Sequence, residues 1–135
     1  MKYFFLSFFL TFRLLSNYGQ LPLNEYTFLT KKADSLFTLK KYNEAANLYS
    51  KAFDLNGGLG KVGHRYKAAS CWALIKYSDS AFSQLDKIAG KGNFTGYEMI
   101  ANDSNFNSLH PDSRWSSLMD KIKENKSKTK FKSDY

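Results

Sequence analysis

The clearest hydrophobic pattern in the chain runs from Tyr42 to Leu55. Its apolar residues recur at intervals of three and four, the spacing that places side chains on one face of an α-helix. They are Ala45, Leu48, Tyr49, Ala52 and Phe53. The alanines allow a neighbouring helix to approach closely, and the large side chains fill the space beside them. The pattern therefore predicts a helix that packs against other helices.

Signals on both sides of this helix predict a helical hairpin. Asn56-Gly57-Gly58 predicts its end, because Gly adopts the left-handed conformation of a C-cap without steric cost. Residues 25–39 carry a second apolar stripe with helical spacing, and Lys40-Lys41 is the whole connection between the two stripes. Two helices joined so closely pack antiparallel. The hairpin is predicted to span residues 25–56.

The same pattern returns further along the chain. One helix is predicted over residues 62–77, and a second is capped by Ser78 or Asp79 and ends at Gly90. The apolar positions of the two hairpins correspond at a constant offset of 36 residues. The corresponding pairs are Ala33 and Ala69, Leu36 and Trp72, Ala45 and Ala81, Tyr49 and Leu85, and Ala52 and Ile88. An offset that holds across both helices indicates that a hairpin was duplicated.

Residues 94–125 are predicted to close the fold. Two short apolar segments come first, and a longer helix opens at 110–112, where Pro111 suits the first turn and Asp112 the helix dipole. The apolar residues of the short segments are Tyr97, Met99, Ile100, Phe106 and Leu109, and those of the last helix are Trp115, Leu118, Met119 and Ile122. The Lys-rich tail, residues 126–135, lacks such a stripe and is predicted to be disordered.

The two hairpins resemble the tetratricopeptide repeat, a helix–turn–helix unit of about 34 residues. The resemblance is carried by Leu29, Ala33, Leu36, Tyr42, Ala45, Tyr49 and Ala52 in the first unit, and by Tyr66, Ala69, Trp72, Ala81, Leu85 and Ile88 in the second. Three features depart from the family. Gly57-Gly58 replaces the proline usual at the end of a unit, Lys32 stands where an apolar residue is common, and Ile88 replaces a small residue.

This resemblance implies an all-α fold in which antiparallel helix hairpins stack as a short right-handed solenoid. The repeats are residues 25–56 and 61–90. Since about three repeats are needed for a stable stack, residues 94–125 are expected to form a degenerate third hairpin that acts as the cap. The folded domain is then residues 20–125.

The resemblance also implies a binding surface. In tetratricopeptide stacks the first helix of each hairpin lines a concave groove that takes a peptide or a partner helix. The corresponding residues of this chain are Thr30, Asp34, Phe37, Tyr66, Lys67 and Ser70. Members of the family that hold a C-terminal carboxylate use Lys and Asn at set places in the groove. Thr30 and Asp34 occupy such places here, so that clamp is not expected.

The first 19 residues have the pattern of an export signal. Met1-Lys2 is a short basic start, residues 3–12 are uncharged and mostly apolar, and a polar segment follows. Cleavage after Gly19 would leave Gln20 first, in the periplasm or outside the cell. A transmembrane anchor is the alternative, but a span needs about 20 apolar residues. A hydrophobic first helix of the fold is the remaining interpretation.

The sequence contains little reactive chemistry. Its only thiol and imidazoles are Cys71, His64 and His110, whereas a structural zinc site normally has four protein ligands. No third group is suggested that would orient a Cys–His pair for catalysis. We therefore predict no metal, no cofactor and no enzymatic activity. Cys71 lies in an apolar helical segment and is interpreted as a buried inert thiol, with a reactive or intermolecular thiol as the alternative.

These observations favour a non-catalytic protein–protein interaction module that is exported, monomeric and bound to a protein or peptide. The formal net charge is +8, but removing the leader and the tail leaves only a small positive charge. Specific nucleic-acid binding is therefore not expected, because it usually requires Lys and Arg clustered on one face. The alternative function is binding to an anionic surface, lipid or nucleic acid, through the basic tail.

Overall fold

The computed structural model describes the backbone of residues 23–133 and the side chains of residues 25–130. The predicted leader and its cleavage site lie outside the described residues. Over the described range every regular element is helical, which confirms the all-α prediction. The elements are α1 (Leu23–Thr38), α2 (Tyr42–Leu55), α3 (Val62–Leu74), α4 (Ser78–Ala89), α5 (Tyr97–Ala101), a 3-10 helix (Ser104–Leu109) and α6 (Ser113–Ser133).

Helices α1 and α2 pack as one hairpin, and α3 and α4 pack as a second that contacts the first through α2 and α1. The turns within the two hairpins have the same backbone conformation. Lys40 and Lys76, 36 residues apart, adopt positive φ values of 58° and 64°. The next backbone N–H closes each turn: Lys41 donates to the carbonyl of Leu36 at 2.9 Å, and Tyr77 donates to that of Trp72 at 2.8 Å. The 36-residue correspondence therefore extends from side-chain character to the backbone.

The second helices of the hairpins and α6 bury side chains in the same spacing. The buried positions are Ala45, Ala46, Tyr49 and Ala52 in α2, Ala81, Phe82, Leu85 and Ile88 in α4, and Leu118, Met119, Ile122 and Asn125 in α6. The offset from α4 to α6 is 37 residues. Helix α6 packs on α4 and α5, and the 3-10 helix packs on α3. Of the apolar stripe predicted for the last helix, Leu118, Met119 and Ile122 are buried, and Trp115 is partly buried against the same cluster.

The described side chains form two core clusters, and the partly buried ring of Trp72 packs against both. The first cluster lies within the first hairpin and reaches α3 at Ala68 and Cys71. The second joins α3 and α4 to the segment from Ile100 onwards. Cys71 is a free, fully buried thiol, and burial raises its pKa to about 12. It therefore remains protonated at neutral pH, as expected of an inert core residue.

The glycine turn after α2 is confirmed. Gly57 and Gly58 adopt positive φ values of 64° and 75°, and the N–H of Gly58 donates to the carbonyl of Phe53 at 2.8 Å. At the next junction the prediction was wrong by a few residues, because α3 ends at Leu74 and the cap of α4 precedes both Ser78 and Asp79. Tyr77 takes the cap position before α4 without a side-chain hydrogen bond, and Ser78 already belongs to the helix.

The prediction that the tail is disordered was wrong for residues 126–133, which continue α6 to Ser133. Lys is a good helix former, and the packed first half of α6 supplies the nucleus that an isolated segment lacks. Lys128 also pairs with Glu124, one turn earlier on the same helix. No helix among the described residues is long and apolar enough to cross a membrane.

Candidate functional site

A polar cluster connects α1, α2 and α3 on the side where the sequence predicts a groove. At its centre, Oδ1 of Asp34 accepts a hydrogen bond from Nζ of Lys67 at 2.8 Å and another from the hydroxyl of Tyr49. Tyr49 lies on α2, and its side chain is fully buried. Asp34 and Lys67, two of the predicted groove residues on different hairpins, are thus directly bonded to each other.

A second pair of polar side chains joins the start of α1 to the start of α3. The hydroxyl of Tyr26 accepts a hydrogen bond from the backbone N–H of Lys61 at 3.0 Å and lies 2.7 Å from Nδ1 of His64. Burial lowers the pKa of His64 and outweighs the attraction of Asp34. We therefore assign a neutral imidazole whose Nδ1 accepts a hydrogen bond from the Tyr26 hydroxyl and whose Nε2 carries the ring proton. The pair is a structural connection between the hairpins.

The charge of Asp34 is set by opposing effects. Burial acts to raise its pKa, but the hydrogen bonds from Lys67 and Tyr49 and the charge of Lys67 together lower it below the ordinary value. The carboxylate is consequently ionised at neutral pH and pairs with the ammonium group. Because 36% of the Asp34 side chain and 43% of the Lys67 side chain remain exposed, this ion pair belongs to the accessible surface.

The ion pair predicts a specific dependence of stability on acid. A carboxylate whose pKa is lowered by folding stabilises the fold above its unfolded value, near 3.8, and that contribution is lost as pH falls through the folded-state pKa. We expect Asp34→Asn to remove this part of the acid dependence, worth less than about 1 kcal/mol because the pair is exposed. Urea unfolding of Asp34→Asn and of the unmodified chain, at pH values above and below 3.8, measures this difference in acid dependence.

Lys67→Met is the matched test of the same ion pair. It removes the partner charge and leaves the carboxylate of Asp34 in place, so the pKa of Asp34 rises and the acid dependence again becomes shallower. If both variants keep the full acid dependence of the unmodified chain, the ion pair does not form in solution.

Two of the predicted groove residues do not face an open groove. Thr30 is 2% exposed and Ser70 is 1% exposed. Each hydroxyl donates to a carbonyl one turn earlier in its own helix, Thr30 to Tyr26 at 2.9 Å and Ser70 to Tyr66 at 3.1 Å. Short hydroxyl side chains that bond to their own helix are suited to burial. These two residues therefore support the packing of α1 and α3 and are not available to a partner.

Tyr66 turns away from α1 and joins the second hairpin to the closing segment. Its ring lies 5.3 Å from that of Phe106 and 6.0 Å from that of Phe94, and its hydroxyl donates to Asp103 at 2.8 Å. Burial and this hydrogen bond raise its pKa. The structure therefore separates Tyr66 from the Asp34–Lys67 pair.

Phe37 remains close to the surface of the first hairpin. Its ring is half-buried and packs edge-on against Tyr42 with centroids 5.6 Å apart. Of the six predicted groove residues, Asp34 and Lys67 meet directly, and Phe37 lies one turn after Asp34 on α1. These three form the candidate surface, which we call the α1–α3 surface.

The sequence pattern did not predict the buried cation that lies between the hairpins. Arg65 is 6% exposed; its Nη1 donates to Oε1 of Gln84 at 2.7 Å and its Nη2 to the carbonyl of Gly58 at 2.5 Å. Its guanidinium also lies over the ring of Phe53 at 4.5 Å. One signal was present, because Arg65 precedes Ala68 and continues the spacing of the buried face of α3. These bonds fix the α2–α3 loop to α4.

Within the part of the chain that the structure describes, no group of three or more His, Cys, Asp or Glu side chains could hold a metal ion. Comparison with known proteins adds no relative: no family model, no curated protein and no solved structure matches this chain.

Proposed function

We propose that this chain is an exported, non-catalytic protein-interaction module of the tetratricopeptide type, whose hairpins stack as a short right-handed solenoid. The observation that supports this proposal is the 36-residue correspondence between the hairpins, which covers the buried positions and the turns at Lys40 and Lys76. Stacked repeats place equivalent helices side by side and create an extended surface for a partner. The partner is a peptide or helix of another protein.

The α1–α3 surface is the proposed contact region. In its central ion pair, Asp34–Lys67, both side chains are partly accessible to water. An exposed pair of this kind contributes at most about 1 kcal/mol, so exchanging it for contacts with a partner's charged side chains costs little. Phe37 adds a partly exposed aromatic ring, a side chain that is common in protein interfaces. The surface therefore suits a partner segment that combines charged and apolar side chains.

The proposed absence of catalysis rests on how the polar groups are used. Tyr49 and Lys67 both donate hydrogen bonds to Asp34, and Tyr26 bonds to His64. Each interaction connects two helices, which is a packing role. In the proposed function Tyr26, Tyr49 and His64 position the helices, while Asp34 and Lys67 also belong to the surface that meets the partner.

Photocrosslinking from defined positions tests the proposal. A photoreactive amino acid replaces Phe37 or Lys67 on the α1–α3 surface, and Asn47 or Lys51 on the exposed face of α2 serves as the matched control. The full chain is produced in cells of the source organism, and crosslinked proteins are identified by mass spectrometry. We expect both surface positions to capture the same protein and both control positions to miss it.

Two outcomes would contradict the proposal. Capture of the same proteins from both faces would show that the α1–α3 surface has no special role. Capture from α2 alone would place the interface on the opposite face. The mass of the recovered chain tests export in the same experiment, because cleavage after Gly19 leaves Gln20 as the first residue.

A further inference from the structure

Several chain segments lie at the same end of the molecule. We call it the loop end; it comprises the start of α1, the α2–α3 loop (residues 56–61), the segment after α4 (residues 90–96) and the last turns of α6. The bond from the Lys61 N–H to Tyr26 ties the loop to the first turns of α1. Helix α4 returns to the same end because it runs antiparallel to α3.

The last turns of α6 reach the loop end through Asn125. Its buried amide donates to the carbonyl of Ala89 at 2.7 Å and to that of Phe94 at 3.1 Å. Beyond Asn125 the helix continues to Ser133, and the side chains of residues 126–130 are exposed. At 1.5 Å per residue this extension projects by about 12 Å past the last buried side chain.

The extension makes the loop end strongly basic. Residues 121–133 contain six lysines and one glutamate. Helical spacing places Lys121 and Lys128 on one side of the buried face of α6, and Lys123, Lys126 and Lys130 on the other. Lys126 pairs with Glu98 at 2.6 Å, and Lys128 pairs with Glu124. Within residues 121–133 lysine outnumbers acidic residues six to one, so this segment carries a net positive charge.

Exposed apolar side chains lie at the same end. Leu59 is 69% exposed at the tip of the α2–α3 loop, and Leu55 and Val62 on either side of the loop are also exposed. Met99, next to the carboxylate that holds Lys126, is exposed as well. Peripheral membrane binding requires apolar groups that enter the lipid interface and cations that contact anionic headgroups. The loop end presents both.

We propose that the loop end docks on an anionic lipid membrane, with the lysines of α6 at the headgroups and Leu59 in the interface. The exposed leucine favours lipid over nucleic acid, because a phosphate backbone offers no apolar environment to bury it. The proposal uses a surface separate from the α1–α3 surface, so the two tests have independent outcomes.

The lysines are tested by a pair of variants with the same net charge. In the full chain, Lys126, Lys128 and Lys130 are replaced by Gln in one variant. Lys40, Lys41 and Lys76, at the turns of the opposite end, are replaced by Gln in the other. Binding is measured by co-sedimentation with vesicles of phosphatidylcholine mixed with phosphatidylglycerol. We expect the first variant to bind about 100-fold more weakly than the unmodified chain and the second to change little.

The apolar contribution is tested by a second matched pair. Leu59 and Leu39 are almost equally exposed, at 69% and 67%, and Leu39 lies at the opposite end beside the α1–α2 turn. We expect Leu59→Ser to weaken vesicle binding about 10-fold and Leu39→Ser to leave it unchanged. The leader is present in every variant, so its own affinity for lipid cancels in the comparison.

Four outcomes would overturn the proposal. Two concern the variants: equal loss of binding in the two lysine variants, or equal loss in the two leucine variants. The other two concern the unmodified chain: binding to vesicles of phosphatidylcholine alone as tight as to the anionic vesicles, or tighter binding to a DNA duplex than to the anionic vesicles. Circular dichroism of each variant confirms that the helices are retained, so that loss of binding reflects the surface and not the fold.

Discussion

Replacing Tyr49 by Ala is expected to lower the free energy of unfolding by about 3–5 kcal/mol. The ring is fully buried between the first hairpin and α3, with its centroid 6.4 Å from that of Phe53 and 6.2 Å from that of His64. Truncation leaves a cavity at the junction of three helices and removes the hydroxyl that bonds to Asp34. Urea unfolding of the variant and the unmodified chain measures the loss.

Two further variants separate the contributions at this position. Tyr49→Phe keeps the ring and loses only the hydrogen bond to Asp34, so we expect a cost of about 1 kcal/mol. Tyr77→Ala makes the same truncation at an exposed tyrosine and should cost about 1 kcal/mol or less. If Tyr49→Ala is no more destabilising than Tyr77→Ala, the first hairpin does not pack as described.

The second large effect is expected at Phe106, in the 3-10 helix of the closing segment. Its fully buried ring meets that of Tyr66 edge-on at 5.3 Å and that of Trp115 at 6.2 Å. We expect Phe106→Ala to cost about 3–5 kcal/mol. Because these contacts connect α3 to α6, the variant should still unfold in one transition, with circular dichroism and tryptophan fluorescence changing together.

Phe28→Ala is the control for this substitution, since Phe28 is exposed on α1 and its truncation should change stability by about 0.5 kcal/mol or less. A small loss at Phe106, or separate transitions by the two probes, would show that the closing segment is not part of the cooperative core. Residues 104–133 would then be an appendage to the two hairpins.

The sequence was sufficient to predict the helical hairpins because the residues that stabilise them recur at intervals of three and four along the chain. Ala45 and Tyr49 stand on the same helix face as Ala52, and all three are buried. The glycines after α2 were equally informative, since a left-handed cap requires a residue without a side chain or one that tolerates strain. Lys40 and Lys76 adopt positive φ without being glycine, and no local signal predicts that.

The candidate site was predicted less well, because exposure depends on which elements approach each other. Thr30 and Asp34 lie one turn apart on α1. Thr30 is buried and bonds to a carbonyl of its own helix, whereas Asp34 bonds to Lys67 on α3. Arg65 was missed for the same reason: a charged residue is expected at the surface unless its partners are known. Its partners, Gln84 and the carbonyl of Gly58, lie on other elements.

The Lys-rich end of α6 illustrates how long-range structure changes a local prediction. A segment rich in lysine and without an apolar stripe cannot fold alone, so disorder was a reasonable expectation. Attached to a helix already fixed by Ile122 and Asn125, the same segment needs only to extend existing turns.

The buried thiol of Cys71 also gives the molecule an internal reporter of its own dynamics. A thiol-reactive dye cannot reach this side chain in the closed state, and the chain has no other cysteine to compete for it. Dye incorporation therefore occurs only in molecules whose α3 has transiently separated from the first hairpin. When reclosing is faster than the reaction, the rate of incorporation divided by the rate for the unfolded chain gives the population of this open state, without an engineered label.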